Sequence, residues 1–224
     1  MKAYWYRGNW NDRVGNVGDL LTPEIIEHLT SKSPVWSDEP GKLLAVGSIV
    51  ECVKDNDTVW GSGLIKPMQL EKKHNVTVLA VRGKLTADAM RDAGYDVPDI
   101  YGDPAILMPD IYQPEWVKDC RVALVPHYVE IEAFRLAFPG KKIIPIISNV
   151  HHFIDQLLRC EKIITSSLHA YILARSYGVV AEYVQLTSKI IGGYYKYEDY
   201  LTGEGGKDKL LNAFQKHYRN IDTF

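Results

Sequence analysis

The sequence predicts an α/β protein of two Rossmann-like lobes with mostly parallel sheets. Three observations carry this expectation. Short runs of Val, Ile, Leu and aromatic residues alternate with helical stretches, as expected of strands covered on both faces by helices. A Pro-bracketed stretch without periodicity, Met108-Pro109-Asp110-Ile111-Tyr112-Gln113-Pro114, interrupts the series near its middle. A fresh strand–helix–strand series begins at Arg121. The lobes are therefore placed at residues 1–112 and 113–224, with the final helix allowed to pack back on the first lobe.

In chain order, strands are predicted at residues 2–7, 43–47, 58–60, 76–81, 100–101, 121–126, 142–147, 162–165 and 180–185. Most are runs of Val, Ile, Leu and aromatic residues with Gly, Pro or Asp close by. The first helix is predicted to start at Thr22-Pro23-Glu24, an N-cap, a proline at the first helical position and an acid in the first turn, ahead of Ile25, Ile26 and Leu29. A helix over 84–93 stops at Gly94, and helices over 149–160 and 168–177 follow, the second closed by Gly178. A last amphipathic helix over 207–218 carries Leu210, Leu211 and Phe214 on one stripe.

Composition narrows the classes of function. The 224 residues are 46% hydrophobic and carry 26 Lys+Arg against 28 Asp+Glu, a net charge of -2. That balance excludes a strongly basic nucleic-acid binder and an acidic disordered tail. No apolar run approaches the ~20 residues needed to span a bilayer, and the start has no apolar core of a signal peptide. Cys52, Cys120 and Cys160 form no CxxC pair and are expected as reduced thiols. The expected setting is cytoplasmic.

The chemistry-bearing residues follow the strands. Nearly every predicted strand runs at its carboxyl end into a loop of small, charged or imidazole side chains: Gly8-Asn9-Trp10-Asn11-Asp12 and Gly15-Asn16-Val17-Gly18-Asp19, then Gly47-Ser48, Gly61-Ser62-Gly63, Arg82-Gly83-Lys84, Gly102-Asp103-Pro104, His127-Tyr128 and Ser166-Ser167-Leu168-His169. Open α/β sheets bind ligands in the crevice outside those ends, and two facing lobes would bring both sets together. The loops around Asn16 and Gly18, and around Gly61, Ser62 and Gly63, are candidate backbone cradles for an anion, or ordinary glycine turns. Arg82 can fork onto a carboxylate or phosphate with Lys84 adding a second cation, or pair with an acid of the chain. Asp103 can orient Arg82, accept a bond from substrate, or cap the turn that follows.

His169 is the sharpest candidate. It falls in the first turn of a helix, where the positive end of the dipole favours a neutral imidazole suited to moving a proton. Ser166 or Ser167 would cap that helix and offer amides to an anion, and His127 is a second imidazole with an equal claim to a structural role. The tyrosines of Tyr194-Tyr195-Lys196-Tyr197-Glu198-Asp199-Tyr200 can stack on a sugar, though packing is their favoured use. No HExxH or clustered His/Asp ligand set supports a catalytic metal, and no GxSxG elbow is present.

Read in order, Gly15-Asn16-Val17-Gly18-Asp19, Trp60-Gly61-Ser62-Gly63, Val81-Arg82-Gly83-Lys84-Leu85-Thr86, Gly102-Asp103-Pro104-Ala105 and Ser166-Ser167-Leu168-His169-Ala170 resemble the polysaccharide pyruvyl transferases, nearest their short bacterial exopolysaccharide branch. The resemblance implies a two-lobed fold similar to GT-B glycosyltransferases. It implies transfer of pyruvyl from phosphoenolpyruvate to two hydroxyls of a sugar, giving a cyclic ketal and phosphate. On that pattern Arg82 and His169 contact the donor or assist proton transfer; the oxocarbenium character of such a transition state would in turn favour a carboxylate such as Asp19 or Asp103 nearby. No cofactor is implied, phosphoenolpyruvate being the donor substrate. The implied partner is a glycan or lipid-linked sugar acceptor, with peripheral membrane association through that acceptor an open option and the oligomeric state unspecified. Ser167 departs from the arginine that many relatives carry before the Leu-His pair. A GT-B nucleotide-sugar transferase and a non-catalytic carbohydrate-binding relative are the competing readings.

Overall fold

A computed structural model describes residues 1–8, 14–203 and 206–218. Residues Asn9, Trp10, Asn11 and Asp12 of the first predicted loop lie outside the described residues. The strands in chain order are β1 (Lys2–Tyr4), β2 (Gly15–Asn16), β3 (Val35–Trp36), β4 (Leu43–Leu44), β5 (Thr58–Trp60), β6 (Thr77–Ala80), β7 (Cys120–Val125), β8 (Ile147–Ser148), β9 (Cys160–Thr165) and β10 (Val180–Tyr183). The helices are α1 (Val17–Thr30), α2 (Lys84–Asp92), α3 (Met108–Ile111), α4 (Ile131–Ala137), α5 (Val150–Leu158), α6 (Leu168–Ser176), α7 (Tyr195–Thr202) and α8 (Lys207–Tyr218). The fold is α/β, with parallel pairing throughout its two larger sheets, as the sequence predicts.

The chain divides into two compact units, and each is discontinuous. The first holds Met1–Tyr6, Thr22–Pro104 and Tyr195–Phe224; the second holds Arg7–Leu21 and Ala105–Tyr194. These boundaries differ from the expected 1–112 and 113–224. Asn16 of β2 pairs antiparallel with Ile147 of β8, which draws the start of α1 into the second unit. Trp60 Nε1 donates to the Leu210 carbonyl at 2.8 Å, and the Trp60 and Phe214 rings lie 4.5 Å apart, which ties α8 to the first unit.

The first unit's sheet runs β3-β1-β4-β5-β6. This is the doubly wound order in which the direction of winding reverses between β1 and β4, and ligands in such sheets lie at the carboxyl edge. At the amino edge, Lys42 and Asp57 form a fully buried ion pair at 2.6 Å, and Asp57 also accepts from the Lys42 and Lys54 backbone amides. The amides satisfy the lone pairs that the ion pair leaves over, the condition for a buried pair to be tolerated. The second unit's sheet runs β10-β9-β7, with Ile143 bridged to Leu124 beyond β7.

Helix α1 corrects the expected start at Thr22. It begins at Val17, with the Asn16 side chain accepting from the Gly18 amide at 3.2 Å, and Pro23 lies inside it. Thr22 is fully buried, and its hydroxyl accepts from the Val46 amide at 3.1 Å instead of capping a helix. Asn is as good a cap as Thr. Pro23, the seventh residue of α1, loses one helical hydrogen bond but does not end the helix here.

Candidate functional site

The second unit gathers Asn16, Gly18, Asp19, His127, Ser166, Ser167 and His169. Strands β7 and β9 end side by side, and Thr165 ties them: its hydroxyl donates to the Val125 carbonyl at 2.6 Å and accepts from the Ser167 amide at 2.9 Å. Ser166 Oγ accepts from the His127 amide at 2.9 Å. Ser167 caps α6 in an extended conformation, its hydroxyl accepting from the Ala170 amide. The amide of Ser167 is thus committed to Thr165, which corrects the expectation that it faces an anion.

His169 follows in the first turn of α6, half-buried. Its ring lies against the backbone of Gly18, the second residue of α1. A Cβ at Gly18 would sit 2.1 Å from His169 Nδ1 and 2.5 Å from its Cγ. Only a residue without a side chain allows that approach. The amino-terminal turns of α1 and α6 therefore meet at the imidazole, with Asp19 in the first turn of α1. Two helix amino termini bring the positive ends of their dipoles to the same place, which favours a carboxylate or phosphate.

Glu130 is a buried residue that no motif in the sequence singles out. It accepts from the Thr187 amide and hydroxyl at 2.5 and 2.6 Å, fastening the segment after β10. At the end of β10, Tyr183 is pushed up to about 12, by burial first and then by the charge of Glu130 and by Tyr194, so it remains a protonated hydroxyl at physiological pH.

The first unit gathers Gly61, Ser62, Gly63, Arg82, Lys84 and Asp103. Here the structure corrects the expected anion cradle. Arg82 is fully buried: Nε donates to Asp199 Oδ2 at 2.9 Å, one terminal nitrogen to Ser48 Oγ at 2.7 Å and the other to the Leu64 carbonyl at 2.6 Å. The carboxylate that Arg82 forks onto belongs to the chain itself. Asp199 also caps α2, accepting from the Thr86 amide at 2.9 Å and the Thr86 hydroxyl at 2.7 Å. Gly63 leaves room for the guanidinium, since a Cβ there would lie 2.2 Å from Arg82 Cζ. Ser62 is buried, donating to the Ala45 carbonyl at 2.6 Å. Gly61 has φ +86° and passes close to Pro104. These glycines serve close packing of the unit's own atoms. Lys84 is exposed, and Asp103 is buried just before the turn Pro104–Leu107.

Among the described residues no group of three or more His, Cys, Asp or Glu is placed to hold a metal ion. Among them, no helix is long and apolar enough to cross a membrane. A cavity of about 680 Å³, lined in part by Lys2, Lys32, Phe214 and His217, opens at the amino edge of the first unit's sheet, away from the strand ends that carry ligands in this class of fold.

The sequence model of one family, polysaccharide pyruvyl transferase, matches residues 61–181, more than half of the 224 residues. The chain belongs to that family. Arg82, Asp103, His127 and His169 all fall within the matched span, while Gly18 and Asp199 flank it. The chain is similar to "Uncharacterized protein L143" of Acanthamoeba polyphaga mimivirus, 28% identical over 169 residues that cover 70% of this chain. It spans 58% of the length of that curated relative. No solved structure matches the chain.

Proposed function

We propose that the chain is a ketal pyruvyl transferase that takes phosphoenolpyruvate as donor and a glycan or lipid-linked sugar as acceptor. The observation that carries this reading is the packing of the His169 ring on Gly18 where the first turns of α1 and α6 meet, in a chain of the pyruvyl transferase family. Phosphoenolpyruvate carries a carboxylate and a phosphate, both matched to helix amino termini. The reaction adds a proton to the donor's methylene carbon, adds two sugar hydroxyls to its C2 with loss of both hydroxyl protons, and releases phosphate. His169 moves a proton in that sequence, taking one from a sugar hydroxyl or delivering one to the methylene. Asp19, in the first turn of α1, supplies negative charge near the centre that becomes cationic. Arg82 acts at a distance, as the buried group that fastens Asp199 and the capped α2 in the first unit.

A melting panel tests the donor. Phosphoenolpyruvate at 100 times its dissociation constant should stabilise the chain by about 2.7 kcal/mol, while uridine and guanosine diphosphate sugars leave the melting temperature unchanged. Stabilisation by the nucleotide sugars without any response to phosphoenolpyruvate would replace this reading by a glycosyltransferase.

A further inference from the structure

Cys120 and Cys160 are 40 positions apart in sequence, yet each opens a strand and the two are direct partners in the parallel register of β7 and β9. Neighbouring strands lie about 4.8 Å apart, within the Cα separation of about 4.4–6.8 Å that a disulfide requires. In an unbroken register, paired residues point to the same face of the sheet, which sets the two thiols side by side. Cys160 is fully buried and its S–H also approaches the Gln156 carbonyl of α5, at 3.5 Å. Cys120 is half-buried, so solvent reaches it first.

We propose that Cys120 and Cys160 are a redox pair that closes to a disulfide across β7 and β9 on contact with a small disulfide oxidant such as oxidised glutathione. The steps balance. The Cys120 sulfur attacks one sulfur of the oxidant, forming a mixed disulfide and releasing one glutathione, which carries off the Cys120 proton. The Cys160 sulfur then attacks the Cys120 sulfur, releasing the second glutathione with the Cys160 proton. The protein loses two electrons and two protons, and one oxidised glutathione becomes two reduced ones. The environment assigns the order. Burial, then the neighbouring Cys120, pushes the Cys160 thiol up to about 12, against the pull of Lys142 and Lys118. Cys160 is accordingly the slow, resolving thiol. Lys118 Nζ donates to the Cys160 carbonyl and stays close to the pair. The bond would pin the amino ends of the two strands whose carboxyl ends carry His127 and the Ser166–His169 turn. Cys52 lies in the other unit and takes no part.

The folded chain is incubated with oxidised glutathione, then denatured, alkylated and weighed. The expected product lacks two hydrogens, takes up one alkyl group, at Cys52, and yields a peptide joining Cys120 to Cys160. Cys52→Ser should form the same link with no alkylation, and Cys120→Ser should form none. Glutathione retained on Cys120 with Cys160 still alkylated, or three alkylated thiols after prolonged exposure, would overturn the proposal. If the link forms only in urea, the pair belongs to the unfolded chain and the proposal also fails.

Discussion

Alanine in place of His169 is expected to lower acceptor-dependent phosphate release from phosphoenolpyruvate by about 10²- to 10⁴-fold, the range of a positioned general acid or base, while the chain keeps its cooperative melting. The side chain is half-buried on the first turn of α6, and alanine is a good helix former, so truncation leaves the helix and its Ser167 cap in place. A companion variant separates loss of the group from loss of its position. Gly18→Ala keeps the imidazole but would place a methyl 2.1 Å from Nδ1, so the ring must move. A displacement of about 1 Å at a reacting group can cost about 10²-fold. Alanine at a helical position would by itself favour α1 by roughly 0.5–1 kcal/mol over glycine, while the displaced ring opposes it, so the melting temperature of Gly18→Ala is read beside its turnover. Phosphate release measured on the two variants checks both. Wild-type turnover in His169→Ala would remove the imidazole from the reaction.

The second large effect falls on stability. Asp199→Ala should cost about 3–5 kcal/mol, the usual result of removing one partner of a buried ion pair. It leaves the fully buried Arg82 guanidinium without its carboxylate and deprives the Thr86 amide and hydroxyl of their acceptor. For a chain of this size that corresponds to a fall of roughly 6–20 °C in melting temperature. Asp38→Ala removes the partner of Lys54 in an exposed pair, 58% and 41% accessible. Water screens such a pair, so the melting temperature should hardly change. Calorimetry on the two variants measures the contrast, and equal losses would mean that Asp199 does not carry the packing of α7 on α2.

The same pair of residues shows how far the sequence could be read. The position of Arg82 at the end of an apolar strand and the mouth of a helix marks a guanidinium facing an anion, and the structure does give it one. The identity of that anion, Asp199, lies 117 positions away, beyond any local pattern. Asp199 sits in α7, whose tyrosines are middling helix formers and whose buried acid interrupts the apolar stripe that would have revealed a helix. The strand β3, two residues long, is too short to show periodicity. Conversely, β5 and α8 match their predicted bounds, since Thr58–Trp60 is an unbroken β-forming run and Lys207–Tyr218 keeps a clear stripe. His169 and the Gly18 loop were each legible as unusual residues at strand ends. Their contact depends on the pairing of β2 with β8, a two-residue ladder that no motif announces.

The most direct measurement is a titration of the folded chain with phosphoenolpyruvate, followed by the imidazole resonances of its seven histidines. His169 is assigned by its absence from the spectrum of His169→Ala. If the donor binds where α1 and α6 meet, the His169 resonance moves and saturates with ligand, while His217, at the amino-edge cavity of the first unit, stays fixed. A saturating shift at His217 with His169 unmoved, or no shift at any histidine, would contradict the assignment of the donor site to His169 and Gly18.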